Sequence, residues 1–116
     1  MILLIKIPAA EFRNPIKIQR FFNGIDEDNI PLKEWKDIVP NKIFRAKILN
    51  ISGKETIIAQ ADAIINSKRF YIRYSRSLNL SNKDRIVYNN KIYNITYVSD
   101  IEEAHKYYEI VAELVQ

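Results

Sequence analysis

The sequence predicts a mainly β (α+β) fold, a small antiparallel β-barrel or sandwich of about six strands with one α-helix inserted after the second strand. Three observations predict it. Apolar and polar residues alternate in several separate runs, one segment switches to helical spacing behind a capping signal, and Asn89-Asn90 divides two alternating runs as a hairpin turn would.

The chain has 116 residues, which suits one core, so residues 1–116 are read as a single domain with residues 1–13 as an N-terminal arm. The first strand is expected over Ile16–Phe22, where Ile16, Ile18 and Phe22 alternate with Lys17 and Gln19. Residues 23–41 hold Gly24, the acidic run Asp26-Glu27-Asp28, Pro31, Trp35 and Pro40 without a sustained period, and read as a long loop between the first two strands. Loops of that length in a compact domain are usually functional or disordered.

The second strand is expected over Lys42–Ile51, with Phe44, Ala46 and Ile48 inward. Ser52-Gly53-Lys54-Glu55 then fits a capping box, in which Ser52 and Glu55 satisfy each other's amides, and Thr56–Ile65 carries helical spacing up to a stop at Asn66. Lys68–Arg76 returns to alternation with Phe70, Ile72 and Tyr74 on one side. Arg85–Tyr88 and Lys91–Val98 flank Asn89-Asn90, whose side chains tolerate the positive φ of a two-residue turn. Tyr107–Val115 closes the sheet, with Tyr108, Ile110, Ala112 and Leu114 inward.

Composition removes whole classes of function. Hydrophobic residues make up 47% and charged residues 28%, a globular balance far from that of disordered chains. With no cysteine there is no disulfide, thiolate metal site or cysteine nucleophile. With two glycines there is no phosphate-cradling loop, and no cofactor is expected. The apolar start Met1–Ile5 is far short of a membrane span and has no basic region before it, so the reading is a cytoplasmic protein.

The single histidine, His105, sits in Glu102-Glu103-Ala104-His105-Lys106, where a solvated turn histidine fits better than a general base. Asp26-Glu27-Asp28 lacks the alternating oxygen ligands and glycine of a calcium loop. No catalytic or metal-binding residue is assigned.

Net charge is +4, unevenly spread. From Ser67 to Ile92 seven basic residues face only Asp84, a net of +6, while from Ser99 to Gln116 five acids face only Lys106, a net of −4. Such polarity suits head-to-tail contacts between copies, and it is equally what solvated strand faces look like. Two surfaces are singled out. Lys68, Arg69, Tyr71, Arg73 and Arg76 make a basic, aromatic stretch that suits DNA phosphates or a neighbouring subunit, with ordinary cross-strand pairs as the alternative. Asp26, Glu27, Asp28, Lys33, Trp35 and Lys36 form the candidate partner or channel loop, with the lone tryptophan either anchoring a partner or folding back onto the core.

The ordered set Phe44-Arg45-Ala46-Lys47-Ile48, Ser52-Gly53-Lys54-Glu55, Ile72-Arg73-Tyr74, Asp84-Arg85-Ile86 and Lys91-Ile92-Tyr93-Asn94-Ile95 resembles the phage head-tail joining (head-tail adaptor, head-closure or stopper) family. The similarity runs from about Asn14 to Val115. Phe44 stands where tryptophan is usual, Asn89-Asn90 where a glycine turn is common, and residues 23–41 are unusually long.

The resemblance implies structural work without catalysis. It points to a connector of a tailed phage or prophage particle, assembled in the host bacterial cytoplasm. There a homo-oligomeric ring below the portal retains packaged DNA and docks the tail. Its expected partners are portal or adaptor ring proteins and tail proteins, with non-specific contact to packaged DNA and no membrane. The isolated chain is expected to be a monomer or weak oligomer. A small β-barrel nucleic-acid-binding protein is the alternative, resting on the basic stretch from Lys68 to Lys91.

Overall fold

Alternation of this kind specifies a sheet with one buried face, and in the computed structural model, which describes residues 6–51 and 67–115, that sheet closes on itself. Its strands are β1 (Asn14–Ile25), β2 (Pro31–Asp37), β3 (Phe44–Ile51), β4 (Ser67–Arg73), β5 (Arg85–Tyr88), β6 (Lys91–Asp100) and β7 (Tyr107–Leu114). They lie in the order β2-β1-β3-β4-β7-β6-β5, and β5 pairs back with β1. Six strands therefore form an antiparallel barrel, with β2 added outside it, and the barrel reading holds over the sandwich. Three short 3₁₀ turns are Ala9–Glu11, Arg76–Leu78 and Ile101–Glu103. The helix expected behind Ser52 and Glu55 lies outside the described residues.

The inward positions are those the alternation names, except that Phe22, expected beside Ile16 and Ile18, is 41% exposed because β1 has left the barrel by then. Ile16, Ile18, Ala46, Phe70, Ile72, Ile86, Ile110 and Ala112 are each at most 1% exposed. Burial of each large member contributes roughly 1.5–3 kcal/mol. Phe70 stands at the centre, edge-on to Tyr93 at 5.7 Å and to Tyr88 at 6.4 Å. Asn89 and Asn90 take φ of 54° and 62°, as a two-residue turn matched to strand twist requires. On the outer face Phe12 stacks on Tyr107 and Tyr107 Oη accepts the Ile7 amide, so the N-terminal segment from Ile7 packs against the barrel.

The long loop expected over residues 23–41 is corrected. β1 runs on to Ile25, and β2 pairs with it from Gln19↔Asp37 to Ile25↔Pro31. The reversal is local. Asp26 Oδ1 accepts the Asp28 and Ile30 amides at 2.9 Å, Asp26 N donates to Ile30 O, and Asn29 supplies φ of 61°. Pro31 is tolerated because it begins an edge strand. Gly24 is tolerated because the Phe22 ring lies over it, where a β-carbon would stand 2.7 Å from Cζ.

Candidate functional site, the hairpin arm and the outer faces of the barrel

β1 meets β3 only at Asn14–Ile16 and β5 only at Lys17–Gln19. Beyond Gln19 its sole partner among the described strands is β2, so the two strands leave the barrel as a ribbon. Among the described residues, four of the eight exposed large hydrophobic side chains belong to this arm and its turn: Phe21, Phe22, Ile25 and Ile30. A ribbon has no interior, so its apolar side chains stay in water until something covers them.

The six loop residues singled out in the sequence all lie on the arm. Trp35 is half-buried, edge-on to Phe21 at 5.4 Å and capped by the Arg85 guanidinium at 4.2 Å. Desolvation there moves the Arg85 pKa down from its ordinary value. Trp35 therefore folds back onto the arm and the adjoining barrel wall. Lys36, on the opposite face, has its Nζ 4.2 Å from the Phe22 ring and 3.3 Å from Glu34. Lys33 is exposed, and Glu27 and Asp28 sit exposed in the turn that Asp26 braces.

At the base of the arm is an anchor that sequence reading missed. Asp84 is 2% exposed, and Arg20 meets it with two parallel bonds, Nε to Oδ1 at 2.9 Å and Nη2 to Oδ2 at 3.1 Å. Arg20 Nη2 also donates to the carbonyls of Leu78 and Asn79, and Asp84 Oδ2 accepts the Ser81 amide. The hydrogen bond to Asp84 leads the effects that raise the Arg20 pKa above its ordinary value. The signal in the sequence was Asp84 itself, the single acid in a basic run.

The basic stretch on β4 does not form one surface. Arg69, Tyr71 and Arg73 point outward, Lys68 has the inward parity of Phe70 and bonds Asn50 at the rim, and Arg76 lies off the sheet in a 3₁₀ turn. Glu109, directly opposite Tyr71 on β7, accepts the Tyr71 hydroxyl at 2.7 Å and lies 3.8 Å from Arg69. Burial first, then Glu109, pushes the Tyr71 pKa up. Glu11 in turn holds Lys47 at 2.7 Å. Arg73 stacks over Phe12 at 4.6 Å and keeps its exposed donors.

His105 closes the β6–β7 turn, with Nδ1 2.6 Å from Asp100 Oδ2. Among the described residues no group of His, Cys, Asp or Glu is placed to hold a metal ion.

A closed barrel with a filled interior and an apolar, charged arm is an assembly module, a protein that works through its surfaces. The family model for phage head completion proteins matches residues 7–115, and the chain belongs to that family, which is structural and not enzymatic. The barrel is similar to the solution structure of protein SF1141 from Shigella flexneri 2a, at 25% identity and a TM-score of 0.64 over 88% of this chain and 91% of that one. It is also similar in fold to a chain in the virion of a native gene transfer agent particle, at 16% identity and a TM-score of 0.59 over 89% and 94%. No curated protein matches the chain.

Proposed function

We propose that this head completion protein is the head-closure component of a tailed phage or prophage. It forms a homo-oligomeric ring below the portal that retains packaged DNA and presents a docking face to the tail. The observation that carries the reading is the arm. A barrel that has satisfied its own core sends out a ribbon whose tip side chains Ile25 and Ile30 stay largely exposed and whose Phe21 and Phe22 are only partly covered, by Trp35 and Lys36 of the same ribbon, as expected of a component completed by its neighbours. Family membership supplies the setting, and a chain of the same fold occurs in a virion particle. Asp26, Glu27, Asp28, Lys33 and Lys36 are its partner- or channel-facing residues, and Trp35 stiffens the ribbon behind them.

The outer face of β4 works as an inter-subunit surface rather than as the reader of a nucleic acid. Its alternation of Arg69, Glu109, Lys47 and Glu11 is already neutralised within the chain, which removes the uniform positive field that polyanion binding needs. The test is removal of the gene from the phage or prophage. The expected result is full-length DNA packaging followed by loss of DNA from tailless heads, restored by the protein in trans. Tailed, DNA-filled particles formed without it overturn the proposal.

A further inference from the structure

The β3–β4 ladder ends at Lys47↔Tyr71, although both strands continue past it. Where they part, a cleft of about 250 Å³ opens beside exposed Ile43 and half-buried Tyr74, with the core side chains Phe44 and Leu78 as its floor. That is below the roughly 300 Å³ at which small-molecule pockets begin, so its occupant is on the scale of a few side chains. Its rim is cationic. Lys42 Nζ is 5.3 Å from the Phe44 ring, Arg73 lies over Phe12, and Arg45 is exposed on the same cleft. Among the described residues none of these three has an acidic partner within ion-pair distance.

The tip of the arm carries the complement. Ile25 and Ile30 are 68% and 56% exposed, and between them Glu27 and Asp28 extend their carboxylates, also without a cationic partner among the described residues. The two surfaces cannot meet within one molecule. Phe44 pairs with Ile16 on β1, and Ile25 lies nine residues further along the same strand, roughly 30 Å away at about 3.3 Å per residue. Complementary patches fixed at opposite ends of one rigid element make a head-to-tail contact between copies, the kind that closes into a ring.

The geometry points to a second copy of this chain as the occupant of the cleft. Ile25 and Ile30 of one arm tip cover the apolar cleft residues of the next subunit, and Glu27 and Asp28 meet Arg45 and Arg73. This rests on the ring reading above and adds to it which surfaces join.

The absence of cysteine from the chain makes the test clean. Ile30→Cys and Ser75→Cys, combined in one chain, place one thiol at the tip and one at the cleft. Particles assembled with that variant are treated with a short bis-maleimide and resolved on denaturing gels. The expected result is a ladder of covalent multimers, which needs both cysteines and is lost when Arg45→Glu and Arg73→Glu are added. Dimers from Ile30→Cys alone would show tips meeting tips and overturn the inference. The inference also falls if the double variant is present in particles but gives no ladder, and in that case the ring reading stands. If the wild-type chain is missing from purified particles, the ring reading itself falls, and the inference with it.

Discussion

Arg20 and Asp84 show how much one pair of side chains can decide. They are far apart in sequence, yet their bidentate contact ties the root of the arm to the loop before β5, and the loop carbonyls of Leu78 and Asn79 complete the cage. Asp84 is buried while the Arg20 side chain is 46% exposed, so deleting the guanidinium removes a charged partner from a buried carboxylate but also opens it to water. Arg20→Ala is therefore expected to lower unfolding free energy by about 1.5–2 kcal/mol, read from denaturant melts, while Lys17→Ala, whose contact with Asp37 is 3.9 Å long, should change it by about 0.5 kcal/mol or less. Equal effects would mean that Asp84 is stabilised by its backbone partners alone. The tyrosines set a second residue-scale expectation. Tyr71, Tyr93 and Tyr108 each have a pKa raised above the ordinary 10.0, chiefly by burial. A raised pKa favours the protonated phenol, so this stability is fully present below about pH 10 and is lost as pH rises through the folded-state values. Melting temperature should fall above about pH 10, and less steeply in Tyr71→Phe, which has no phenol to ionise beside Glu109.

At the scale of elements, what could be read in the sequence was what the barrel interior imposes. β3, β4, β5, β6 and β7 face one core, so period-2 alternation marked them, and Asn89-Asn90 marked its turn through backbone chemistry. β2 left no such mark because it lies outside the barrel. Pro31-Leu32-Lys33-Glu34-Trp35-Lys36-Asp37 has no core face, and Gly24, Pro31 and the acids are residue types that loops share with a two-stranded ribbon. Charge alone groups Lys68 with Arg69, whereas alternation sets them on opposite faces. Glu109 and Glu11, which neutralise the β4 face, come from other segments, and only the closed sheet brings them there. The division suggests a direct test. Gln19↔Asp37 is the last β1–β2 pair at the barrel wall and Arg20↔Lys36 the next, so replacing residues 21–35 by Asn-Gly, a two-residue turn closing that pair, should keep the barrel and the Arg20–Asp84 anchor. The expected outcome is a cooperative melt within a few degrees of wild type, as for changes remote from the core, together with loss of head completion in particles. A variant that no longer folds would show that the arm is needed for the barrel itself.

At the scale of the whole molecule, the question is why such a chain stays soluble before it is used. The arm tip and its cleft engage only a few side chains each, far short of the roughly 1,000 Å² a stable protein interface buries. One such contact cannot hold two copies together at micromolar concentration, because it must offset the lost translational and rotational freedom, several kcal/mol on its own. A ring is different. Once copies are gathered on a symmetric platform such as a portal, each contact forms at high effective concentration and the last subunit closes contacts on both sides. The purified chain is accordingly expected to run at its monomer mass of 13.7 kDa in light scattering at micromolar concentration. At higher concentration, weak association should appear and should fade as salt rises from about 50 to 500 mM, because the tip and cleft charges are exposed and the Debye length shrinks over that range from about 14 Å to about 4 Å. Mutating Arg45→Glu and Arg73→Glu should remove that salt dependence. A stable ring formed without any partner would mean that a larger interface than the arm tip and its cleft holds the copies together, and the portal would then be a docking site rather than the template for closure.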